Sequence, residues 1–200
     1  MLFKIVKFLI KCFLHIFFRL KVHNIENFPK EGGAIVAANH KSNWDGVLCA
    51  ALMPRRIFFM AKQELFSNSL FAKVMKWAGA FPVNRGAADV GAIKNAMKII
   101  KNGECIAIFP EGTRVKEGET REIKSGVAMI AEKTKAPVVP IAIKGKYGFL
   151  RKIEIFVGEP IYVKSEDGSK LSHDEIYEFS KQIMVGVLKV AGENVEGLSC

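Results

Sequence analysis

Cysteine is sparse in this 200-residue chain: Cys12, Cys49, Cys105 and Cys200 stand alone, with no C-x-x-C pair and no Cys/His cluster. That spacing argues against a zinc site or a disulfide framework and leaves reduced cytosolic thiols as the expectation. Glycine-rich phosphate loops are missing too. Neither G-x-G-x-x-G nor G-x-x-x-x-G-K-[ST] occurs, so dinucleotide and P-loop chemistry lack support. The G-x-S-x-G elbow is also absent, which makes Ser42 and Ser125 poor nucleophile candidates. Basic and aromatic residues do not interleave as a base-stacking platform requires, so no nucleic-acid partner is expected. There is no internal repeat, low-complexity tract or Pro- or Ser-rich linker to divide the chain.

Acid is in deficit. Thirty basic residues face twenty acidic ones, for a formal charge of +10. Residues 1–23 carry five bases and no acid, whereas residues 165–200 carry three bases and seven acids. Positive charge away from the C-terminus suits an anionic partner such as phosphate, nucleic acid or a membrane surface. With half its residues hydrophobic and a quarter charged, the chain is globular and long enough for one cored domain.

Long apolar runs are missing even where the chain is greasiest. Within Leu2–Leu20 the longest uncharged stretch, Cys12–Phe18, has seven residues and includes His15. A membrane span needs about 20 mostly apolar residues, and a signal peptide needs a small-residue cleavage site that does not follow here. At about 100° per residue, Lys4, Lys7, Lys11, His15 and Arg19 form a narrow basic stripe. Phe3, Ile5, Val6, Phe8, Leu9, Ile10, Phe13, Leu14, Ile16 and Phe17 fill the rest of the helix. That pattern fits a helix lying among lipid headgroups; a helix packed on the domain with solvated lysines is the alternative. The organisation expected is therefore a membrane-associating helix over residues 1–22 and one domain over 23–200.

Beyond that helix, short apolar runs alternate with longer amphipathic ones. Strands are expected at Leu20–Ile25, Ala34–Ala38, Ile57–Ala61, Ala80–Val83, Cys105–Phe109, Val138–Ile143 and Ile153–Val157. Helices are expected at Asp45–Leu52, Ser69–Ala78, Ala88–Lys101, Ser125–Thr134 and Asp174–Ala191, with Val90, Ile93, Met97 and Ile100 on one face of the third. This alternation reads as an α/β fold with a mostly parallel central sheet flanked by helices. Sites in such sheets form where loops leave the carboxyl ends of strands, and His40, Arg85 and Arg114 all fall just past predicted strand ends.

Asn39-His40-Lys41-Ser42-Asn43-Trp44-Asp45 carries the first chemistry. A histidine five residues before an aspartate at a strand-to-helix turn can rest one ring nitrogen on the carboxylate, leaving the other to accept a proton from a hydroxyl. Asp45 can equally be a helix N-cap, and the two roles are compatible. Phe109-Pro110-Glu111-Gly112-Thr113-Arg114 follows another apolar run. Arginine there offers fixed donors for phosphate or carboxylate, and Gly112 permits close backbone approach. Glu111 can orient the guanidinium, and Lys124 can add a second cation or simply be solvated.

Four blocks now stand in order: Asn39-His40-x-Ser42-x-x-Asp45, Phe81-x-Val83-x-Arg85, Phe109-Pro110-Glu111-Gly112-Thr113-Arg114, and Val139-Pro140-Ile141-Ala142-Ile143. Together the chain resembles the 1-acyl-glycerol-3-phosphate acyltransferase, or lysophosphatidic acid acyltransferase, family over residues 39–143. Val115 stands where that family often has serine, and the N-terminus is short beside members with spanning helices. The resemblance implies direct acyl transfer from a thioester to a glycerol hydroxyl, with His40 as base and Asp45 orienting it; the alternatives are a non-catalytic peripheral lipid-binding protein, or an acyltransferase acting on glycerol 3-phosphate or another lysophospholipid. It implies a glycerol-phosphate site of Arg85, Glu111, Gly112, Thr113 and Arg114, with Lys124 a weaker addition. Backbone N–H groups near His40 or Gly112 are candidates for stabilising the oxyanion. The implied partners are lysophosphatidic acid, acyl-CoA or acyl carrier protein as donor, and a phospholipid surface on the cytoplasmic side. No metal or bound cofactor is expected.

Overall fold

The fold is a computed structural model that describes residues 2–84, 89–115, 122–165 and 169–193. Helix α1 (Leu2–Phe17) leads into β1 (Arg19–His23), then β2 (Ala34–Ala38), α2 (Trp44–Leu52), β3 (Ile57–Lys62), α3 (Ser69–Ala78) and β4 (Ala80–Val83). The chain continues through α4 (Val90–Lys101), β5 (Cys105–Ile108), α5 (Gly126–Thr134), β6 (Val138–Gly145), β7 (Lys152–Val157) and α6 (His173–Val190). Residue 22, where the expected N-terminal segment ends, thus lies within β1. The expected helix start at Ala88 lies outside the described residues.

Seven strands form one sheet in the order β1-β7-β6-β2-β5-β3-β4, parallel throughout except for the β6–β7 pair. β2 lies inside the sheet and all five of its residues are buried. That is why it reads as a continuous apolar run rather than an alternating one. The strand period of two divides those residues between two cores. Ala34, Val36 and Ala38 face Leu14 of α1, Phe18 just beyond it and Leu48 of α2. Ile35 and Ala37 face the layer that includes Ala96 and Ile100 of α4, Val127 and Ile130 of α5, and Met184 and Val187 of α6.

Two expectations change. Val90 is 57% exposed, whereas Ile93, Met97 and Ile100 pack on the core as expected, joined by Ala92 and Ala96. Val90 is the first residue after the Asp89 cap, at the helix end. Lys7 leaves the basic stripe as well. Its ammonium turns inward and donates to the carbonyls of Met53 at 2.7 Å and Arg55 at 3.0 Å, at and just beyond the C-terminus of α2, where carbonyls lack intrahelical partners. Burial, helped by Lys11, holds its pKa below the usual lysine value.

The apolar surface of α1 therefore divides into two faces. Leu14 is fully buried against the domain, while Ile5, Phe8, Leu9, Phe13 and Ile16 are 49, 64, 58, 48 and 70% exposed. One side of the helix thus packs on the domain, as the second alternative expects, and the other is exposed. No described helix is long and apolar enough to cross a membrane.

At the end of β6, Gly145 has φ 117°, a region that side chains rarely adopt, and an added Cβ would sit 2.3 Å from the Lys152 carbonyl oxygen. Gly145→Ala should therefore cost about 1–3 kcal/mol, read as a lower urea midpoint. An unchanged midpoint would mean that the β6–β7 corner relaxes freely.

Candidate active site

β2 and β5 are neighbours with Ala37 opposite Ile108, so the turns that follow them leave the same edge of the sheet side by side. This placement brings His40 to the Phe109–Arg114 segment. The imidazole stacks on the Phe109 ring, centroids 4.1 Å apart and planes 13° from parallel. The Val115 N–H donates to the His40 carbonyl at 2.9 Å, and the His40 N–H donates to Glu111 Oε2 at 2.5 Å. Asn39 fixes the third side. Its amide donates to the Ile143 carbonyl at 3.0 Å and its side-chain oxygen accepts the Ile143 N–H at 2.7 Å. That pair acts as one further rung between β2 and β6, held rigid by burial.

His40 and Asp45 meet as the spacing suggests. Nδ1 of His40 lies 2.9 Å from Asp45 Oδ2, and Asp45 is fully buried. Oδ2 also accepts the Lys41 and Ser42 N–H groups, each at 2.7 Å. The Tyr147 hydroxyl donates to Oδ1. Asn43, not Asp45, occupies the N-cap position of α2. The carboxylate turns back into the preceding turn instead. An ionised carboxylate only accepts hydrogen bonds, so the proton in this pair belongs on Nδ1. Nε2 then keeps its lone pair, and it has no hydrogen-bond partner among the described residues.

Tyr147 is the residue that sequence reasoning missed. It sits about a hundred positions from Asp45, on the β6–β7 connection, and its ring packs edge-on to Phe18 at 5.7 Å. Burial first, then the Asp45 charge, raises its phenol pKa well above the ordinary value, so it remains a donor. Only the sheet topology brings it to Asp45; no local motif signals it. The same surroundings, burial above all, push the Cys49 thiol up to about 12 and keep it protonated.

The remaining candidates divide. Gly112 takes φ 67°, and a Cβ there would lie 3.3 Å from Lys124 Cγ, so the lysine stem crosses directly over it. The Lys124 N–H also donates to the Pro110 carbonyl at 2.8 Å. Gly112, Thr113, Arg114 and Lys124 form an exposed, cation-bearing rim, where Lys124 pairs with Glu122. Glu111 is buried and turned onto the His40 backbone, so its carboxylate braces the histidine turn. β4 ends at the same edge, but Arg85 lies outside the described residues. The N–H groups of His40, Lys41, Ser42 and Gly112 are already donated to Glu111, Asp45, Asp45 and the Phe109 carbonyl. An oxyanion donor must come from another group.

A buried imidazole with one nitrogen tied down and one open, beside a cationic loop, defines a site for removing a proton from a hydroxyl on an anionic substrate. Relatives agree with that class. A sequence profile of the Acyltransferase family matches residues 19–144, and the chain belongs to that family. It is 38% identical over 150 residues to the 1-acyl-sn-glycerol-3-phosphate acyltransferase of Bacillus subtilis, covering 72% of this chain and 74% of that one. It is 30% identical over 169 residues to the enzyme of the same name from Streptococcus pneumoniae, covering 80% of this chain and 62% of that one. Among solved structures it matches the 1-acyl-sn-glycerophosphate (LPA) acyltransferase PlsC of Thermotoga maritima, with TM-score 0.73 and 28% identity, over 95% of this chain and 78% of the other.

If Asp45 fixes the imidazole and Tyr147 fixes Asp45, the two should differ in degree. Asp45→Asn should abolish most turnover in a folded protein. Tyr147→Phe removes one hydrogen bond to a charged group, worth about 1.5–3 kcal/mol, and should lower kcat partially with little change in KM. Normal kcat for Tyr147→Phe would show that the backbone donors alone hold Asp45.

Proposed function

We infer that this enzyme moves a fatty acyl group from an acyl thioester to the free hydroxyl of 1-acyl-glycerol 3-phosphate, producing phosphatidic acid for phospholipid synthesis. The observation that carries this reading is the His40 ring, anchored through Nδ1 to buried Asp45 and open at Nε2. Nε2 accepts the hydroxyl proton as the oxygen attacks the thioester carbonyl. The C–S bond then breaks, and the imidazolium returns its proton to the departing sulfur. Asp45 stabilises the imidazolium in between. The thiol is that of coenzyme A or acyl carrier protein, both anionic and suited to a basic surface.

We assign the acceptor phosphate to Arg114 and Lys124, on the rim formed with Gly112 and Thr113. The family pattern adds Arg85. Glu111 serves this site by holding the His40 turn. The acceptor and product are lipids, and the outward apolar face of α1 with exposed Lys4 and Lys11 fits an anionic headgroup layer on the cytoplasmic face.

His40→Ala should cut transfer by about 10²-fold or more, the scale of losing a general base. Arg114→Ala should raise acceptor KM by about 10- to 150-fold, one charged hydrogen bond, and leave donor KM nearly unchanged. Thiol release from acyl-CoA, with and without lysophosphatidic acid, reads both. A folded His40→Ala protein with near-normal turnover would end the proposal, and equal weakening of both substrates would make Arg114 structural.

A further inference from the structure

On the side of the sheet that carries α1, helix α3 repeats the chemistry of α1. Leu70, Val74 and Trp77, spaced four and three apart, share one side of α3 and are 72, 54 and 39% exposed. Three large apolar groups this exposed on one side of a ten-residue helix are more than its packing on the domain requires. The helix carries Lys73 and Lys76, both exposed, and no acid. Its Trp77 ring meets Phe3 of α1 edge-on at 5.6 Å, so the two exposed apolar surfaces adjoin. At the other end of α1, Phe17 meets Phe149 at 5.4 Å, and Phe149 and Leu150 are 64 and 53% exposed.

We propose that α3 is a second lipid-docking helix, whose Leu70–Val74–Trp77 face enters an anionic bilayer beside α1 while Lys73 and Lys76 meet the headgroups. This rests on the membrane reading of α1 and extends it. Charge selects the bilayer over a second copy of the chain. Self-association through this face would bring Lys4, Lys11, Lys73 and Lys76 against their own duplicates, and neither helix has an acid to offset them. An anionic bilayer supplies the missing sign. Two helices also fix what one cannot: a single helix can roll about its axis, whereas two define a plane. The depth and tilt of His40 relative to the headgroups are then set by the protein.

The chain has two tryptophans, so Trp44→Phe leaves Trp77 as the sole reporter in the full-length protein. Mixed with vesicles of phosphatidylglycerol and chain-brominated phosphatidylcholine, Trp77 should shift to the blue and be quenched. Binding to the vesicles with an unshifted, unquenched Trp77 overturns the α3 proposal and leaves α1 as the docking helix. No binding at all removes the α1 reading and this one with it. Leu70→Ser with Val74→Ser touches only exposed positions and should weaken vesicle partition by about tenfold or more, from lost apolar burial. Turnover on a short-chain, water-soluble acceptor should be unchanged. Undiminished partition contradicts the proposal. So does a lipid-free, concentration-dependent dimer that the two substitutions disperse, which would give the face to a second copy.

Discussion

A carboxylate shut away from water is tolerable only when its surroundings supply the hydrogen bonds that water would have given. At Asp45 those donors are the two peptide N–H groups of the turn, the imidazole it orients, and a tyrosine from the connection just past β6. The turn is therefore shaped by the charge it encloses. Remove the charge and the reason for the Lys41 and Ser42 conformation goes with it, as does the choice of ring nitrogen that carries the proton.

That carboxylate would be of little use if the turn could swing. β2 and β5 lie side by side, and their departing loops are cross-linked through the His40 backbone, by Glu111 on its N–H and Val115 on its carbonyl. Asn39 adds the clasp to β6. The imidazole and the cationic rim thus belong to one cross-linked edge of the sheet.

Much of this was legible in the sequence, for definite reasons. β2, β4 and α3 fall where the apolar runs place them, and the His40–Asp45 pair needed only a five-residue turn. What escaped were contacts between residues far apart in the chain. Tyr147 has no local pattern to announce it. Glu111 looks like a partner for Arg114 three positions away, yet points to a peptide 71 positions upstream. Lys7 matches a solvent stripe by periodicity and is diverted by carbonyls at and beyond the end of α2 that periodicity does not register. In each case a buried polar partner, supplied by topology, overrode the local signal.

A general-base role for His40 depends on which of its nitrogens holds the proton. Long-range 15N–1H correlation on ring-labelled protein, at a pH where the imidazole is neutral, assigns it directly. The geometry predicts a protonated Nδ1 and a bare Nε2, with that preference lost in Asp45→Asn. A neutral ring protonated at Nε2 in the native protein would contradict the account.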